Sequence, residues 1–123
     1  MTPGESSDFA LEVADRLVGT APRRFADVMV KRLFGGAGLS LGGVTFALVL
    51  RGVLHFRVDD AMRADFAARG AEPFRYSTKL RQVTVASYYE VPVEILDDDD
   101  ELATWAERAL AAARAVQKPK KKR

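Results

Sequence analysis

Residues 33–50 read LFGGAGLSLGGVTFALVL, five glycines within nine residues followed by an unbroken apolar run. Such a stretch suits a loop that cradles phosphate, a turn that presents a nucleophile, or the bends of a β-hairpin. The first two fail on chemistry. Gly38 and Gly43 have P-loop spacing, but a P-loop needs lysine after its last glycine and a helix behind it. Val44 stands in the lysine's place, and β-rich sequence follows. Gly36-Ala37-Gly38 opens a dinucleotide fingerprint that Leu41 breaks at the third glycine. Gly38-Leu39-Ser40-Leu41-Gly42 matches the G-x-S-x-G nucleophile elbow letter for letter. That elbow requires a strand-to-helix turn, then an acid and a histidine later in the chain. The sole histidine, His55, has no carboxylate between it and Ser40. The glycines therefore read as turn formers, permitting positive φ at either end of a short strand, with Gly38 and Gly43 acting through turn geometry.

Outward from this stretch, the apolar runs Leu39–Leu50 and Val53–Val58, separated by Arg51-Gly52, read as a hairpin. A strand is expected within VMVKRLF before it. Upstream, Ser6, Ser7 and Asp8 offer N-cap oxygens to a helix carrying Phe9, Val13, Leu17 and Val18, which Gly19 stops; TAPRR is then a loop. Downstream, Asp59 and Asp60 cap a short helix with Met62 and Phe66 one turn apart, ended by Gly70. Strands follow at about Phe74–Thr78 and Gln82–Glu90, and Pro92 ends the ladder because it has no N–H to donate. Leu102, Trp105, Ala106, Ala109, Leu110, Ala113 and Val116 form one stripe of a terminal amphipathic helix. The order is α-β-β-β-α-β-β-α: an α+β fold whose mainly antiparallel, five-stranded sheet carries helices on one face.

The 123 residues form one domain, 48% hydrophobic and 29% charged, with no cysteine to build a disulfide framework or thiolate metal site. No apolar run approaches the ~20 residues that span a bilayer. MTPGESSDF lacks the basic and apolar regions of a signal peptide, so a cytoplasmic location is expected. The net charge of +2 is unevenly placed. Lys118, Lys120, Lys121, Lys122 and Arg123 supply five of the 19 basic residues, leaving 14 against 17 acidic ones in residues 1–117. Residues 1–117 thus form a mildly acidic body and 118–123 a polar, disordered tail. The tail reads as a solubilising end with no partner or as a binding arm. Any DNA affinity is expected to be weak, insensitive to sequence and carried by the tail, the acidic body adding nothing.

Other candidates have structural readings. His55 alternates with Leu54 and Phe56, so it points from the opposite face of its strand; alone, it lacks a catalytic or metal partner. Asp97–Asp100 and Glu101 lack a calcium loop's central glycine and precede the last helix, whose N–H groups they cap. Trp105 belongs to the core. Tyr88 and Tyr89 face opposite sides, one packing inward and the other offering a partner surface near Arg75, Lys79 and Arg81.

The stretches LFGGAGLSLGGVTFALVLRGVLHFRVDD, MRADF, GAEPFRYSTK, SYYEVP and LDDDDELATWAERAL resemble, in order, the N-terminal domain of the TfoX/Sxy family of competence regulators. The positions that match are Phe34, Gly35, Gly36, Gly38, Gly43, Phe46, Ala47, Leu54, Phe74, Tyr76, Tyr88, Tyr89, Pro92, Leu96, Leu102 and Trp105. Departures are Leu33 for a common methionine, Ala37 for a common aromatic residue, and His55-Phe56 for Tyr-Leu. The resemblance implies a bacterial regulatory protein without catalytic residues or cofactor. Full-length members act as co-activators that help the cyclic AMP receptor protein turn on DNA-uptake genes. They carry a second, helical C-terminal domain, which this sequence, ending in QKPKKKR after the last helix, is expected to lack.

The expectation is a non-catalytic protein-interaction module whose partner is a transcription factor of that kind. Two alternatives stand: a small-molecule or enzymatic pocket beside the glycine-rich hairpin, and a homodimer. The near-continuous VTFALVL suits a strand buried on both sides, so a second subunit is one way to cover the helix-free face.

Overall fold

The glycine-rich stretch folds into strands joined by two tight turns. In a computed structural model describing residues 3–33 and 35–117, β2 (Gly36–Leu41) turns through Gly42-Gly43 into β3 (Val44–Leu50). β3 then turns through Arg51-Gly52 into β4 (Val53–Arg57). Side chains are described from Ser6 to Leu33 and from Gly35 to Val116; Phe34 and Lys118–Arg123 lie outside the described residues. The four turn residues have φ of 59, 81, 51 and 78°. Two successive left-handed residues are what a two-residue hairpin loop needs to follow the right-handed twist of its strands.

The run Leu39–Leu50, expected as one strand, is therefore two. The sheet has six antiparallel strands rather than five, in the order β1-β2-β3-β4-β6-β5, with β1 at Met29–Leu33, β5 at Pro73–Ser77 and β6 at Gln82–Glu90. Gly42-Gly43 interrupts apolar sequence without adding a polar residue, so hydropathy alone passes over it. Gly38 is not a turn residue either; it lies mid-strand, opposite Lys31 on one side and Leu48 on the other.

The helices also differ in detail. α1 (Pro3–Thr20) starts before the expected Ser6–Asp8 cap and runs through Gly19. A helical glycine costs only about 1 kcal/mol relative to alanine, less than the buried Leu17 returns. The expected loop at TAPRR holds α2 (Pro22–Phe25), opened by Pro22 where a missing N–H costs nothing. α3 (Asp60–Ala68) is capped as expected: the Met62 N–H donates to Asp59 Oδ1 at 2.8 Å, and Gly70 follows its end at φ 86°. β6 stops before Pro92, which becomes the N-cap of a further helix, α4 (Val93–Leu96). At α5 (Asp99–Gln117), Asp98 Oδ1 accepts from the N–H groups of Asp100 and Glu101 at 2.9 and 3.0 Å.

All five described helices put side chains into one core on one face of the sheet: Val13 and Leu17, Phe25, Met62 and Phe66, Ile95, then Leu102, Trp105 and Leu110. β3 meets that core through an irregularity. Leu39 pairs with Ala47 but Ser40 pairs with Thr45, leaving Phe46 as an extra residue. The bulge turns Phe46 and Ala47, adjacent in sequence, to the same side, and both are fully buried. Phe46 meets Phe25 at 6.0 Å between ring centroids. Arg16 closes the corner between layers, bonding Asp99 at 2.7 Å and the Leu96 carbonyl at 2.5 Å. Among the described residues no helix is long and apolar enough to cross a membrane.

Candidate functional site

On the side of the sheet away from the helices, Leu48, Leu50 and Tyr88 form a second buried cluster, with Leu33, Phe74 and Val85 packed on it. Register explains how they meet. Leu48 opposes His55 and Gly38, Leu50 opposes Val53, and Arg57 opposes Tyr88, so these share one face. A break in the β5–β6 register, where Pro73 opposes Tyr89 but Phe74 opposes Val85, brings Phe74 and Val85 to the same cluster. β2 contributes glycine here. A Cβ at Gly36 would run into the Val49 carbonyl and come within 2.8 Å of Leu50 Cδ2. The backbone thus approaches where no side chain fits, and Leu50 lies over it.

Between these side chains is a cavity of about 580 Å³. Leu48, Leu50 and Val85 form its apolar lining, Phe74, Tyr76 and Tyr88 its aromatic walls, and Gly35 and Arg51 complete it. Phe74 and Tyr76 stack at 5.9 Å, and the buried His55 ring meets Phe74 edge-on at 5.3 Å. The Tyr88 hydroxyl reaches the Thr45 carbonyl at 3.4 Å, while the Arg57 guanidinium lies 5.6 Å from the Tyr88 ring centroid. Arg51, the sole described non-glycine residue at positive φ, donates to the Arg75 carbonyl at a long 3.4 Å.

Electrostatics make the interior neutral and its border cationic. Burial holds the His55 pKa below 6.5, outweighing the backbone carbonyls of Val53 and Leu48 and aided by the nearby Arg51 charge. His55 Nδ1 donates to the Val53 carbonyl at 3.0 Å. Burial likewise raises the Tyr88 phenol above 10, against the opposing effect of Arg57, so at neutral pH it remains a hydroxyl donor. Among the described residues the lining holds no carboxylate, serine, threonine or lysine. Such a cavity can seat an apolar group and meet a negative one at its border.

The sequence-stretch candidates divide between the two faces. Gly35, Phe74, Tyr76 and Tyr88 converge on the cavity. Phe46, Ala47 and Trp105 lie in the helix-side core, with Tyr89 packed against it; Tyr88 and Tyr89 do face opposite sides. Pro92 caps α4, and Gly43 lies in the β2–β3 turn. Ser40 and His55 are on different strands with β3 between them, so no elbow exists. Phe34 and the candidate nucleic-acid residues Lys118, Lys120, Lys121, Lys122 and Arg123 lie outside the described residues. Sequence reasoning missed Leu48, Leu50, Arg51 and Val85 as site residues. The Arg51-Gly52 turn and the alternation of Phe74 with Tyr76 were the available signals.

The family model described as the TfoX N-terminal domain matches residues 22–113. The chain belongs to the TfoX N-terminal domain family. The matched span runs from α2 through most of α5 and includes every described residue that lines the cavity. No curated protein matches the chain.

Proposed function

We propose that this TfoX N-terminal domain is a non-catalytic, regulatory protein-interaction module that engages its partner through the helix-free face. The carrying observation is the aromatic-walled cavity of about 580 Å³, a size and lining suited to one bulky apolar anchor. Charge narrows the partner. The strand positions and β3–β4 turn of this face carry Lys31, Arg51 and Arg57 against one acid, Glu90. An apolar anchor flanked by carboxylates fits that border. Family membership supports a transcription factor, such as the cyclic AMP receptor protein, as the bearer of that segment, in a bacterial cytoplasm and in the control of DNA-uptake genes.

The test is surface plasmon resonance between the full chain and purified cyclic AMP receptor protein, with and without cyclic AMP. Tyr76→Asp and Arg51→Glu should each weaken binding about tenfold or more, as loss of an anchor or a complementary charge does. Binding indifferent to both substitutions in folded variants, or none by the unaltered chain, would refute this reading. A second reading uses the same cavity for a small apolar carboxylate, since its volume is that of many ligand sites. Thermal stabilisation by dodecanoate or indole-3-acetate, abolished by Arg51→Glu, would favour it.

A further inference from the structure

On the opposite side of the sheet lies a different surface. Ala21, Pro22, Arg23 and Arg24 face Leu41, Glu107 and Arg114 across an open cleft of about 660 Å³. A smaller hollow of about 340 Å³ shares Arg24, Glu107 and Arg114 and adds Arg108. The two form one groove with four exposed arginines and one acid. That acid is weakly engaged: Arg24 Nε stands 3.7 Å from Glu107 Oε1. Arg108 is aligned by stacking 4.3 Å over the Trp105 ring.

Beyond Gln117, the end of α5 nearest Arg114, the sequence continues with five cations in six residues. The groove alone holds four of the chain's 19 basic residues and one of its 17 acidic ones. Sequence totals conceal this separation, because α1 and the start of α5 carry acids that offset the groove's arginines in any linear count.

We propose that this groove binds the phosphate backbone of duplex nucleic acid through the arginines of the folded body. Along α5, Thr104 to Arg114 spans ten residues, about 15 Å at ~1.5 Å each. That is the length of about four phosphates at ~3.4 Å per strand. Arginine suits such contacts because its planar fork of donors matches phosphate oxygens. Ala21, Pro22 and Leu41 complete the lining without adding charge. Backbone contacts of this kind carry no sequence information. The site is independent of the helix-free face, and a chain holding protein there and a duplex here would bring the two together.

Fluorescence anisotropy with two labelled duplexes of unrelated sequence, between about 50 and 200 mM salt, tests the proposal. The chain ending at Gln117 should still bind both duplexes equally, with a slope of log affinity on log salt no steeper than about −3.6 for four phosphates. Substituting Arg23, Arg24 and Arg114 together by alanine in the full chain should reduce its slope by about 3. Glu107→Gln should tighten binding severalfold by releasing Arg24 and removing the opposing charge. All four positions lie at the surface, and unchanged Trp105 fluorescence certifies the fold. Three results would overturn the proposal: no binding by the Gln117-terminated chain, an unaltered slope in the triple variant, or binding to phosphatidylserine vesicles without binding to duplex.

Discussion

The two faces of the sheet are built from the same strands yet differ in chemistry. Toward the helices, alternate residues meet side chains from five described helices, and the core closes with Phe46, Phe56 and Phe66 fully buried. Away from them, Leu48, Leu50 and Tyr88 are buried by neighbours within the sheet itself, around an open cavity bordered by arginines. A helix layer supplies many apolar side chains and leaves few gaps. Long aromatics folding over a sheet shield its centre without filling the space beside them. The first face holds the domain together; the second holds a space open.

Substitutions on the two faces should therefore separate. The largest losses belong to the helix side, where Phe46→Ala and Trp105→Ala should each cost about 3–5 kcal/mol in urea unfolding. Trp105 packs against Phe66 at 5.2 Å between ring centroids, with Arg69 and Arg108 over its ring. Native Trp105 fluorescence resembling that of free tryptophan in water would contradict this burial. Next, Leu54→Ala on the helix side should cost about 4 kcal/mol, and Leu50→Ala on the other about 2, because a site already open to water leaves less new void. Equal costs would erase the contrast between the faces.

A smaller effect comes from His55. Its folded-state pKa is depressed by burial, so the unfolded chain takes up a proton first as pH falls. Stability should be full above the ordinary value of 6.5 and decline below it toward the folded-state value. His55→Leu should flatten that decline between about pH 7 and 5, measured by urea midpoints. An unchanged slope would mean that burial does not govern this imidazole. Smallest of all, Tyr76→Asp, at a residue 42% exposed, should shift stability by only about 0.5 kcal/mol while weakening the proposed partner binding about tenfold or more.

The fold class could be read because its signals are local. The stripe from Leu102 to Leu110, the Asp59 cap and Gly70 each depend on residues within a few turns of one another. Trp105 was legible as core for the same reason. Gly42-Gly43 was legible in principle, as a glycine pair between strands, yet apolar continuity on both sides outweighed it.

Sequence alone determined the α+β class, the antiparallel hairpins, the terminal helix and the opposite orientations of Tyr88 and Tyr89. These follow from periodicity and steric rules acting along the chain. Only tertiary structure decided that β6 rather than β5 pairs with β4, which brings Tyr88 beside Arg57 and toward Thr45. It also decided that a bulge at Phe46 sends two adjacent residues to one face, and that Arg23 and Arg24 line one cleft with Arg114 of α5. Pairing order, bulges and charge segregation depend on which distant residues become neighbours, and that is set by how the whole core packs.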